Sequence, residues 1–221
     1  MGSVTVVEAI STKTASIGMV WRSPFEGHAP FERPSRAGQI GVCLSAGSLR
    51  SVTLVGTWPS AAPALCEALG TALGCAVPAG TGDTLQLADM LLLRTGPEEF
   101  HLVSERSVDL TRRLREKIGA DVGSVTDLSH ARCRITVEGD KCLDALSKLF
   151  ALDLRESAFP VGQARLTGHH HVACTLHRLA RERFDIYVFS TYAFDQLATV
   201  IDAALEYGVA LRPAEGDRGR L

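Results

Sequence analysis

The stretch ADMLLLRTGPEEFHLVS, residues 88–104, decides the fold, because two apolar runs stand on either side of a Gly-Pro pair. Phe100 alternates with Leu102 in the second run, as in a half-buried strand, and a Gly-Pro pair is typical of a turn. The stretch therefore predicts a β-hairpin. The same residue types recur at one constant offset, which pairs Arg94, Glu98, Phe100 and Leu102 with Arg178, Glu182, Phe184 and Ile186. That recurrence predicts a second hairpin and an internal duplication.

A strand and an amphipathic helix precede each hairpin. In the first half, SVTLVG (residues 51–56) predicts the strand, and the helix is expected to begin after Ser60 as its N-cap and to end at Gly74. In the second half, ARCRITVEG (residues 131–139) predicts the strand, and Asp140 is expected to cap the helix.

A further helix follows each hairpin. Ser107 is expected to cap the first of these helices, whose apolar side is formed by Leu110, Leu114 and Ile118. The closing helix has the strongest amphipathic pattern, with apolar residues at i, i+3, i+4, i+7 and i+11, namely Phe194, Leu197, Ala198, Ile201 and Leu205. Alignment of the first strand of each half by its final glycine pairs residues 52–56 with residues 135–139.

This repeated order predicts an α+β fold of two β-α-β-β-α units, each with helices packed on a mixed or antiparallel sheet. Residues 51–120 form the first unit in this prediction, residues 121–210 the second, and residues 211–221 a polar tail. Two such units can pair into one compact body.

Residues 1–50 are predicted to form an extended N-terminal arm. Three prolines and several glycines interrupt this segment, so no helix of useful length fits between them. Such a segment cannot bury enough of itself to offset the loss of backbone entropy, unless it orders against a partner. Its apolar residues favour contact with partner subunits; these are Val20, Trp21, Phe25 and Phe31.

The composition is that of a globular protein, with 46% hydrophobic and 22% charged residues among 221 and a formal net charge of −2. This charge gives no general attraction to nucleic-acid phosphates or to an anionic membrane. No apolar run approaches the roughly 20 residues that a membrane-spanning helix needs. The N-terminus also lacks the pattern of a secretory signal. We therefore expect a cytoplasmic protein with no nucleic-acid and no membrane partner.

The cysteines never form a CxxC pair, and several occupy apolar positions of periodic segments: Cys43, Cys66, Cys75, Cys133, Cys142 and Cys174. Buried free thiols are therefore expected, not a disulfide framework or a zinc site.

The run His169, His170 and His171 is the obvious candidate for a metal or acid–base site. If the run enters the strand that ends in VACTL, His169 and His171 share one face and His170 points to the other. Two ligands are too few for a tetrahedral zinc site, and the sequence names no third ligand. A solvated or interface cluster is the favoured interpretation, and a small metal enzyme is the alternative.

Asp127, Ser129 and His130 supply the residue types of a catalytic triad, but a triad is assembled from separate parts of a fold. Asp127 and Ser129 are expected instead to shape a turn. No glycine-rich nucleotide-binding pattern is present, and Arg94 is expected to belong to the hairpin turn and not to a phosphate site. A solvated helix face is expected for the remaining basic cluster, Arg112, Arg113, Arg115 and Lys117.

Four segments occur in a telling order: SPF at residues 23–25, LLLRTGPEEFHLVSE from Leu91, VTDLSHARCRITVEGDKCLDALSKL from Val125, and LDLRESAFPVGQ through HHHVACTL to FDQLATVI at residues 152–201. Together they resemble the gamma subunit of heterotetrameric sarcosine oxidase. The resemblance covers about residues 50–210, and the step from AFPVGQ into the next strand is its most specific part.

That family is similar to the folate-dependent aminomethyltransferase of the glycine cleavage system, and TDLSH (residues 126–130) looks like the DVSH segment of those enzymes. The transferases carry a paired-aspartate motif on the strand that here reads HHHVACTLHRL. In this chain no Asp occurs between Leu154 and Phe184. The resemblance therefore implies no catalytic residue, no cofactor-binding residue and no metal ligand in this chain.

The resemblance implies a non-catalytic structural subunit of an amine-oxidising flavoenzyme. In that complex an alpha subunit binds NAD and tetrahydrofolate, a beta subunit binds FAD and shares an FMN site with alpha, and a small delta subunit binds zinc. The complex oxidises sarcosine to glycine with hydrogen peroxide, or passes the one-carbon unit to tetrahydrofolate. The gamma chain is then expected to stabilise the large subunits through its arm and one sheet face.

Two alternatives stay open. The same kind of subunit could serve a complex that demethylates dimethylglycine or another N-methyl amino acid. The chain could also be a stand-alone folate-binding module.

Overall fold

The computed structural model describes residues 23–104, 106 and 109–213. Twelve strands and four helices follow one another along the described chain: β1 Phe31–Arg33, β2 Val42–Ser48, β3 Ser51–Gly56, α1 Ala62–Leu73, β4 Thr84–Leu87, β5 Met90–Gly96, β6 Glu99–Ser104, α2 Leu110–Arg115, β7 Ser124–Asp127, β8 Arg132–Glu138, α3 Cys142–Ser147, β9 Ala164–His169, β10 Val172–Ala180, β11 Arg183–Phe189, α4 Ala193–Ala204 and β12 Val209–Arg212. The mixed α+β class predicted from the sequence is confirmed.

The strands form two sheets. The five-stranded sheet has the order β4-β5-β6-β3-β7, and the seven-stranded sheet has the order β1-β12-β2-β8-β11-β10-β9. Neighbouring strands are antiparallel except for β12 and β2, which are parallel. Each half contains one strand more than predicted before its hairpin, namely β4 and β9.

The two sheets lie face to face between two layers of helices. Leu65 of α1 and Leu114 of α2 pack on the outer face of the five-stranded sheet, in one core with Phe100. Leu146 of α3 and Leu197 of α4 pack on the outer face of the seven-stranded sheet. Side chains alternate between the two faces of a strand, and β3 is buried on both of its faces. The side chains on its inner face lie between the two sheets.

Two strands of the seven-stranded sheet come from the segment predicted as an arm. β2 pairs with β8, and β1 forms the outer edge beside β12. Phe25, expected at a partner surface, is buried in the core of its own chain. The arm prediction was therefore wrong for these residues, and Val20 and Trp21 lie outside the described residues.

Helix ends differ from the predictions in their caps. A 3₁₀ turn, Pro59–Ala61, leads into α1, so Ser60 is not its N-cap. α3 likewise begins without a side-chain cap after Lys141, so the prediction for Asp140 was wrong. The end of α1 is as predicted, because Gly74 has a left-handed φ of 71° and its N–H donates to the carbonyl of Gly70 at 2.8 Å. Ser107 lies outside the described residues.

The two hairpins have the same backbone register. Arg94 lies opposite Phe100 and Arg178 lies opposite Phe184, and in each hairpin the register shifts just after the arginine. Each guanidinium lies 5.2 Å from the ring centre of its opposite phenylalanine. The turn accounts for the similar position of the two arginines, because each guanidinium also donates to carbonyl oxygens of its own turn. Arg94 donates to Gly96 and Pro97, and Arg178 donates to Ala180 and Arg181.

The alignment of the first strands was off by one residue. Val55 lies opposite Phe100 and Val137 lies opposite Phe184, so Val55 corresponds to Val137 once the hairpins are matched. A shift of one residue moves every side chain to the other face of a strand. Alignment by the final glycine of ARCRITVEG gives the wrong register, because Gly139 lies beyond the end of β8.

Glycines permit the close crossing of β2, β8 and β12. Gly208 has φ of 77°, and a Cβ there would lie 2.0 Å from the carbonyl oxygen of Gln39. Gly139 has φ of 123°, and a Cβ there would lie 2.4 Å from the carbonyl oxygen of Gly41. Any side chain at either position would push the N-terminal segment away from the seven-stranded sheet.

Arg178 is expected to be a major source of stability, because its guanidinium is 1% exposed and also donates to the carbonyl oxygens of Leu154 and Phe159 at 3.0 and 2.8 Å. Arg178→Lys keeps the charge but leaves several of these buried acceptors without a donor. We expect a loss of about 2–4 kcal/mol in the free energy of unfolding, measured by urea denaturation. Arg94→Lys, at a half-buried position where water can replace the donors, is the matched control and should cost about 1 kcal/mol. Equal losses would contradict the role assigned to burial.

Candidate functional site

The layer between the two sheets brings together the polar side chains with the most chemical interest. Its centre is apolar and contains Leu49, Val52, Leu91, Leu93, Val103, Ala164 and Tyr187. Polar residues surround this centre, and they come from both sheets. The candidate site therefore depends on how the two halves of the chain meet.

A cleft of about 450 Å³ opens at one end of this layer. Its floor includes Arg134, Asp185 and Tyr187 of two paired strands, in which Tyr187 lies opposite Arg134 and Asp185 lies opposite Thr136. Thr136 Oγ1 donates to Asp185 Oδ1 at 2.7 Å, and Tyr187 Oη donates to Asp185 Oδ2 at 3.4 Å. Arg134 Nη1 lies 3.7 Å from the same Oδ2. Asp185 is thus a buried carboxylate held between a hydroxyl and a guanidinium.

The rim of the cleft carries a second ion pair. Arg106 Nη1 donates to Asp89 Oδ2 at 2.7 Å, and both side chains are more than half exposed. Ser104 Oγ donates to the carbonyl of Asp89 at 2.9 Å and so fixes the rim to β6. The apolar part of the lining is formed by Leu91, Val103 and Leu179, together with Ala88. The cleft can therefore offer paired charges and apolar contact to a small ligand.

The sequence analysis missed this site. Its one available signal was Asp185 in RFDIYVF, where a carboxylate interrupts an apolar strand. A buried Asp needs a partner, and Arg134 and Thr136 occupy the alternating positions of the neighbouring strand. Only the strand order β8-β11 shows that these residues meet.

The other end of the layer contains His101, which lies opposite Leu54 on β3 and has its Nε2 4.0 Å from Glu99 Oε1. Thr95 Oγ1 donates to Glu99 Oε1 at 2.6 Å. Burial lowers the pKa of His101, the nearby Glu99 opposes that shift, and Arg132 reinforces it. A neutral imidazole beside a carboxylate therefore marks this end.

His177 lies within the layer and is 3% exposed. Its Nε2 lies 3.5 Å from Thr84 Oγ1, and its Nδ1 is buried without a hydrogen-bond partner among the described residues. Burial lowers the pKa of His177 to about 4. The side chain is therefore neutral in the folded protein at physiological pH.

The three consecutive histidines do not share a strand. β9 ends at His169 and β10 begins at Val172, so His170 and His171 are the two central residues of a tight hairpin turn. Their φ angles are 46° and 65°, which places both in the left-handed region. The expectation that His169 and His171 share one face was wrong, because the turn separates them.

His169 is fully buried and fastens the turn to α4. Its Nδ1 lies 2.5 Å from Gln196 Oε1, and Gln196 Nε2 donates to the carbonyl of His169 at 3.4 Å. Burial lowers the pKa of His169, although the hydrogen bond to Gln196 opposes the shift. His170 and His171 are exposed. Across the described ranges, no group of three or more His, Cys, Asp or Glu side chains is placed to hold a metal ion.

Asp127 and Ser129 form a turn at the end of β7. The N–H and Oγ of Ser129 both donate to Asp127 Oδ1, at 2.9 and 2.5 Å, and the same Oγ accepts from the N–H of Val52 at 3.0 Å. Burial opposes the ionisation of Asp127, but the hydrogen bonds from Ser129 outweigh it and lower the pKa of the carboxyl. The geometry is that of the predicted turn.

The remaining candidates have structural partners. Arg94 donates to carbonyl oxygens of residues 78 and 79 as well as to its own turn. Arg112 pairs with Asp109 and Glu116 on the exposed face of α2. The six cysteines are free thiols, and burial raises the pKa of Cys133 and Cys142 to about 12 and that of Cys174 to about 11.

Comparison with known proteins relates this arrangement to one kind of subunit. The chain is 28% identical over 144 residues to sarcosine oxidase subunit gamma of Corynebacterium sp. (strain U-96), a match covering 65% of this chain and 70% of the relative. It is 27% identical over 183 residues to the subunit of that name from Arthrobacter sp., covering 81% and 90%. The resemblance to sarcosine oxidase subunit gamma is confirmed.

A chain in the solved structure of heterotetrameric sarcosine oxidase from Corynebacterium sp. U-96, in complex with pyrrole 2-carboxylate, has the same fold. The TM-score is 0.68 at 26% identity, and the match covers 75% of this chain and 85% of that chain. The glycine cleavage system aminomethyltransferase T from Bartonella henselae shares the fold at a TM-score of 0.53 and 13% identity, covering 80% of this chain and 48% of that one. No protein-family model matches the chain. Among the described residues, no helix is long and apolar enough to cross a membrane.

Acid is expected to weaken the fold through His177. Its pKa falls from the ordinary 6.5 to about 4 on folding, so between these values the unfolded chain binds a proton that the folded chain does not. The free energy of unfolding should therefore fall as the pH is lowered from 6.5 towards 4, by an amount on the order of 3 kcal/mol. His177→Leu should reduce this dependence in urea titrations at several pH values, and the part that remains is assigned to His101 and His169, whose pKa values burial also lowers. The exposed His130→Leu is the control, and a dependence as steep in His177→Leu as in the unchanged protein would contradict the assignment.

The turn at residues 170–171 is expected to be strained, because tight hairpin turns with two positive φ angles favour Asn-Gly. Replacing His170 by Asn and His171 by Gly together should raise the free energy of unfolding by about 1 kcal/mol in thermal or urea melts. The single change His170→Ala keeps the strain and serves as the control. A loss of stability in the double variant would show that the two imidazoles make contacts that outweigh the strain.

Proposed function

We propose that this chain is the non-catalytic, gamma-type subunit of a heterotetrameric, flavin-dependent sarcosine oxidase. The observation that carries the proposal is its similarity to curated gamma subunits over up to 81% of its length, together with the shared fold of a chain in a heterotetrameric sarcosine oxidase. The complex would demethylate sarcosine oxidatively to glycine, giving hydrogen peroxide and a folate-bound one-carbon product. We place it in the cytoplasm.

In this proposal the cofactors belong to other subunits. FAD, FMN, NAD, tetrahydrofolate and zinc would be held by the alpha, beta and delta chains, and none by this chain. The lack of Asp between Leu154 and Phe184 supports this division, because β10 then carries no carboxylate at the place of the transferase motif. Asp185 of the adjacent strand is engaged by Thr136 and Arg134 within its own sheet.

The contact with the large subunits would involve the N-terminal segment and the surface where it joins the fold. His28 packs on Phe194 at a ring distance of 4.3 Å, yet Phe194 remains 64% exposed, and the neighbouring Tyr192 is 49% exposed. Exposed aromatic side chains are favoured anchors of protein interfaces. His28, near the start of the described chain, lies next to this aromatic patch, defined by Tyr192 and Phe194.

The internal duplication is part of the same proposal. The shared register of the two hairpins and the matching roles of Arg94 and Arg178 support a common origin for residues 51–120 and 121–210. A scaffold subunit gains from such a duplication, because two related units present a broad surface without requiring a catalytic site.

The test is to purify the tagged full-length chain from its native host, identify the proteins that accompany it, and record the visible spectrum. We expect three further subunits and flavin absorbance, and oxygen uptake with sarcosine in preference to dimethylglycine. Preference for dimethylglycine would keep the subunit role and change the substrate. A colourless, monomeric chain that binds a reduced folate would overturn the proposal and favour a stand-alone folate-binding module.

The same purification tests the aromatic patch. Phe194→Ser should lower the flavin that accompanies the chain severalfold, because it removes an exposed anchor. Leu205→Ser, at the far end of the same helical segment and 36% exposed, is the matched control and should leave it unchanged. Equal amounts of co-purifying flavin in both variants would indicate that the contact surface lies elsewhere.

A further inference from the structure

One edge of the seven-stranded sheet is only partly covered by the chain itself. β9 is the last strand in the sheet order and pairs with β10 on one side. The beginning of its other side is covered, because Asp83 pairs with Gln163 and the N–H of Ala164 donates to the carbonyl of Gly82 at 2.7 Å. In the part of the chain that the structure describes, no strand pairs with the outer side of residues 166–168.

The backbone of this stretch directs free hydrogen-bonding groups outward. Ala164 faces away from β10, as its bond to Gly82 shows. Successive residues of an antiparallel strand direct their N–H and C=O groups to opposite sides. Leu166 and Gly168 therefore face outward like Ala164, and Thr167 faces β10. No described residue forms a hydrogen bond with the outward N–H and C=O groups of Leu166 and Gly168.

The other outer strands are protected against pairing with a further strand. β1, β4 and β7 are three or four residues long. β1 also stands between Pro30 and Pro34, and Arg115 Nε donates to the carbonyl of Val125 on β7 at 2.9 Å. Short strands, prolines and charges are the usual protection of a sheet edge. β9 is six residues long, its residues 166–168 include neither a charge nor a proline, and the side chain of Leu166 is 62% exposed.

The free edge lies close to the aromatic patch. β9 ends at His169, whose Nδ1 lies 2.5 Å from Gln196 Oε1. Gln196 is within one helical turn of Phe194 on α4, and Phe194 is the exposed side chain at which a large subunit is proposed to dock. A subunit that covers the aromatic patch can therefore also reach the free edge.

We propose that an extended segment of a large partner subunit adds to the free edge of β9, as an eighth strand of this sheet. Its backbone bonds the outward groups of Leu166 and Gly168, and one of its side chains covers Leu166. The alternating donors and acceptors of the edge match another extended backbone, which is how a peptide adds to a sheet. This inference rests on the subunit role proposed above.

The test is hydrogen–deuterium exchange on the full-length chain, in the assembly in which it is isolated from its host. Fragmentation that resolves single amides compares Leu166 and Gly168 with Thr167, whose N–H already faces β10. In the assembly we expect the three amides to exchange at similarly slow rates. In the chain produced alone, the two outward amides should exchange at least about tenfold faster than that of Thr167.

Fast exchange of Leu166 and Gly168 in the assembly would overturn the inference. Slow exchange in the chain produced alone would also overturn it, since the edge would then be covered by the chain itself or by a second copy. A flavin-bearing assembly with fast outward amides contradicts this inference and not the proposed function. An assembly without flavin, in which the outward amides are slow only when the partner is bound, contradicts the oxidase and not the added strand.

A variant tests the backbone contact directly. Leu166→Pro removes one outward N–H and leaves the bonds to β10 in place, because proline is tolerated where the N–H of an edge strand faces away from the sheet. It should lower the amount of co-purifying partner severalfold and leave the thermal melt of the chain nearly unchanged. Leu166→Thr keeps the N–H and is the matched control, which should retain the partner. Equal amounts of partner with Leu166→Pro and with the unchanged chain would overturn the inference, and the exchange measurement decides it should Leu166→Pro not fold.

Discussion

The exchange of strands between the two halves of the chain is the constraint on which the rest of the structure depends. β2 precedes β3 in the chain but pairs with β8, and β7 precedes β8 but pairs with β3. Neither half can complete its own sheet. The two sheets are consequently held face to face, and the layer between them is built by both halves. Such non-local pairing costs loop-closure entropy before the contacts between the strands stabilise the fold. β2 can therefore pair only once β8, in the second half of the chain, has formed.

This exchange also explains why the layer between the sheets is polar at its ends. The register of β8 and β11 turns Arg134, Thr136, Asp185 and Tyr187 inward, away from the helices. A buried charge pair usually adds less stability than apolar residues of the same shape would. The outer faces of both sheets carry the two larger apolar cores. The charged residues of the layer between the sheets therefore stand apart from most of the apolar packing of the chain.

The sequence predicted the elements whose signal is local. Both hairpins, the amphipathic helices and the glycine stop at Gly74 follow from periodicity and turn chemistry, and the structure contains them. Predictions that depended on long-range pairing were less successful. The segment containing β2 has too few apolar residues to indicate a central strand, because small residues such as Ser45 and Gly47 suit a strand flanked closely by two others. The turn at His170 and His171 was missed because neither residue is one that such turns favour.

The two hairpins also show where the halves have diverged. Arg94 and Arg178 keep the same position and the same carbonyl partners in their turns, as the backbone geometry of each hairpin requires. On the face between the sheets, the residue that follows Phe100 is His101, whereas the residue that follows Phe184 is Asp185. One end of the layer thus pairs an imidazole with Glu99, and the other pairs a carboxylate with Arg134. If the two hairpins share an origin, both copies retained the arginine that stabilises the turn. Substitutions were then concentrated on the face between the two sheets. The polar side chains between the sheets are therefore asymmetric, although the backbones of the two hairpins are nearly symmetric.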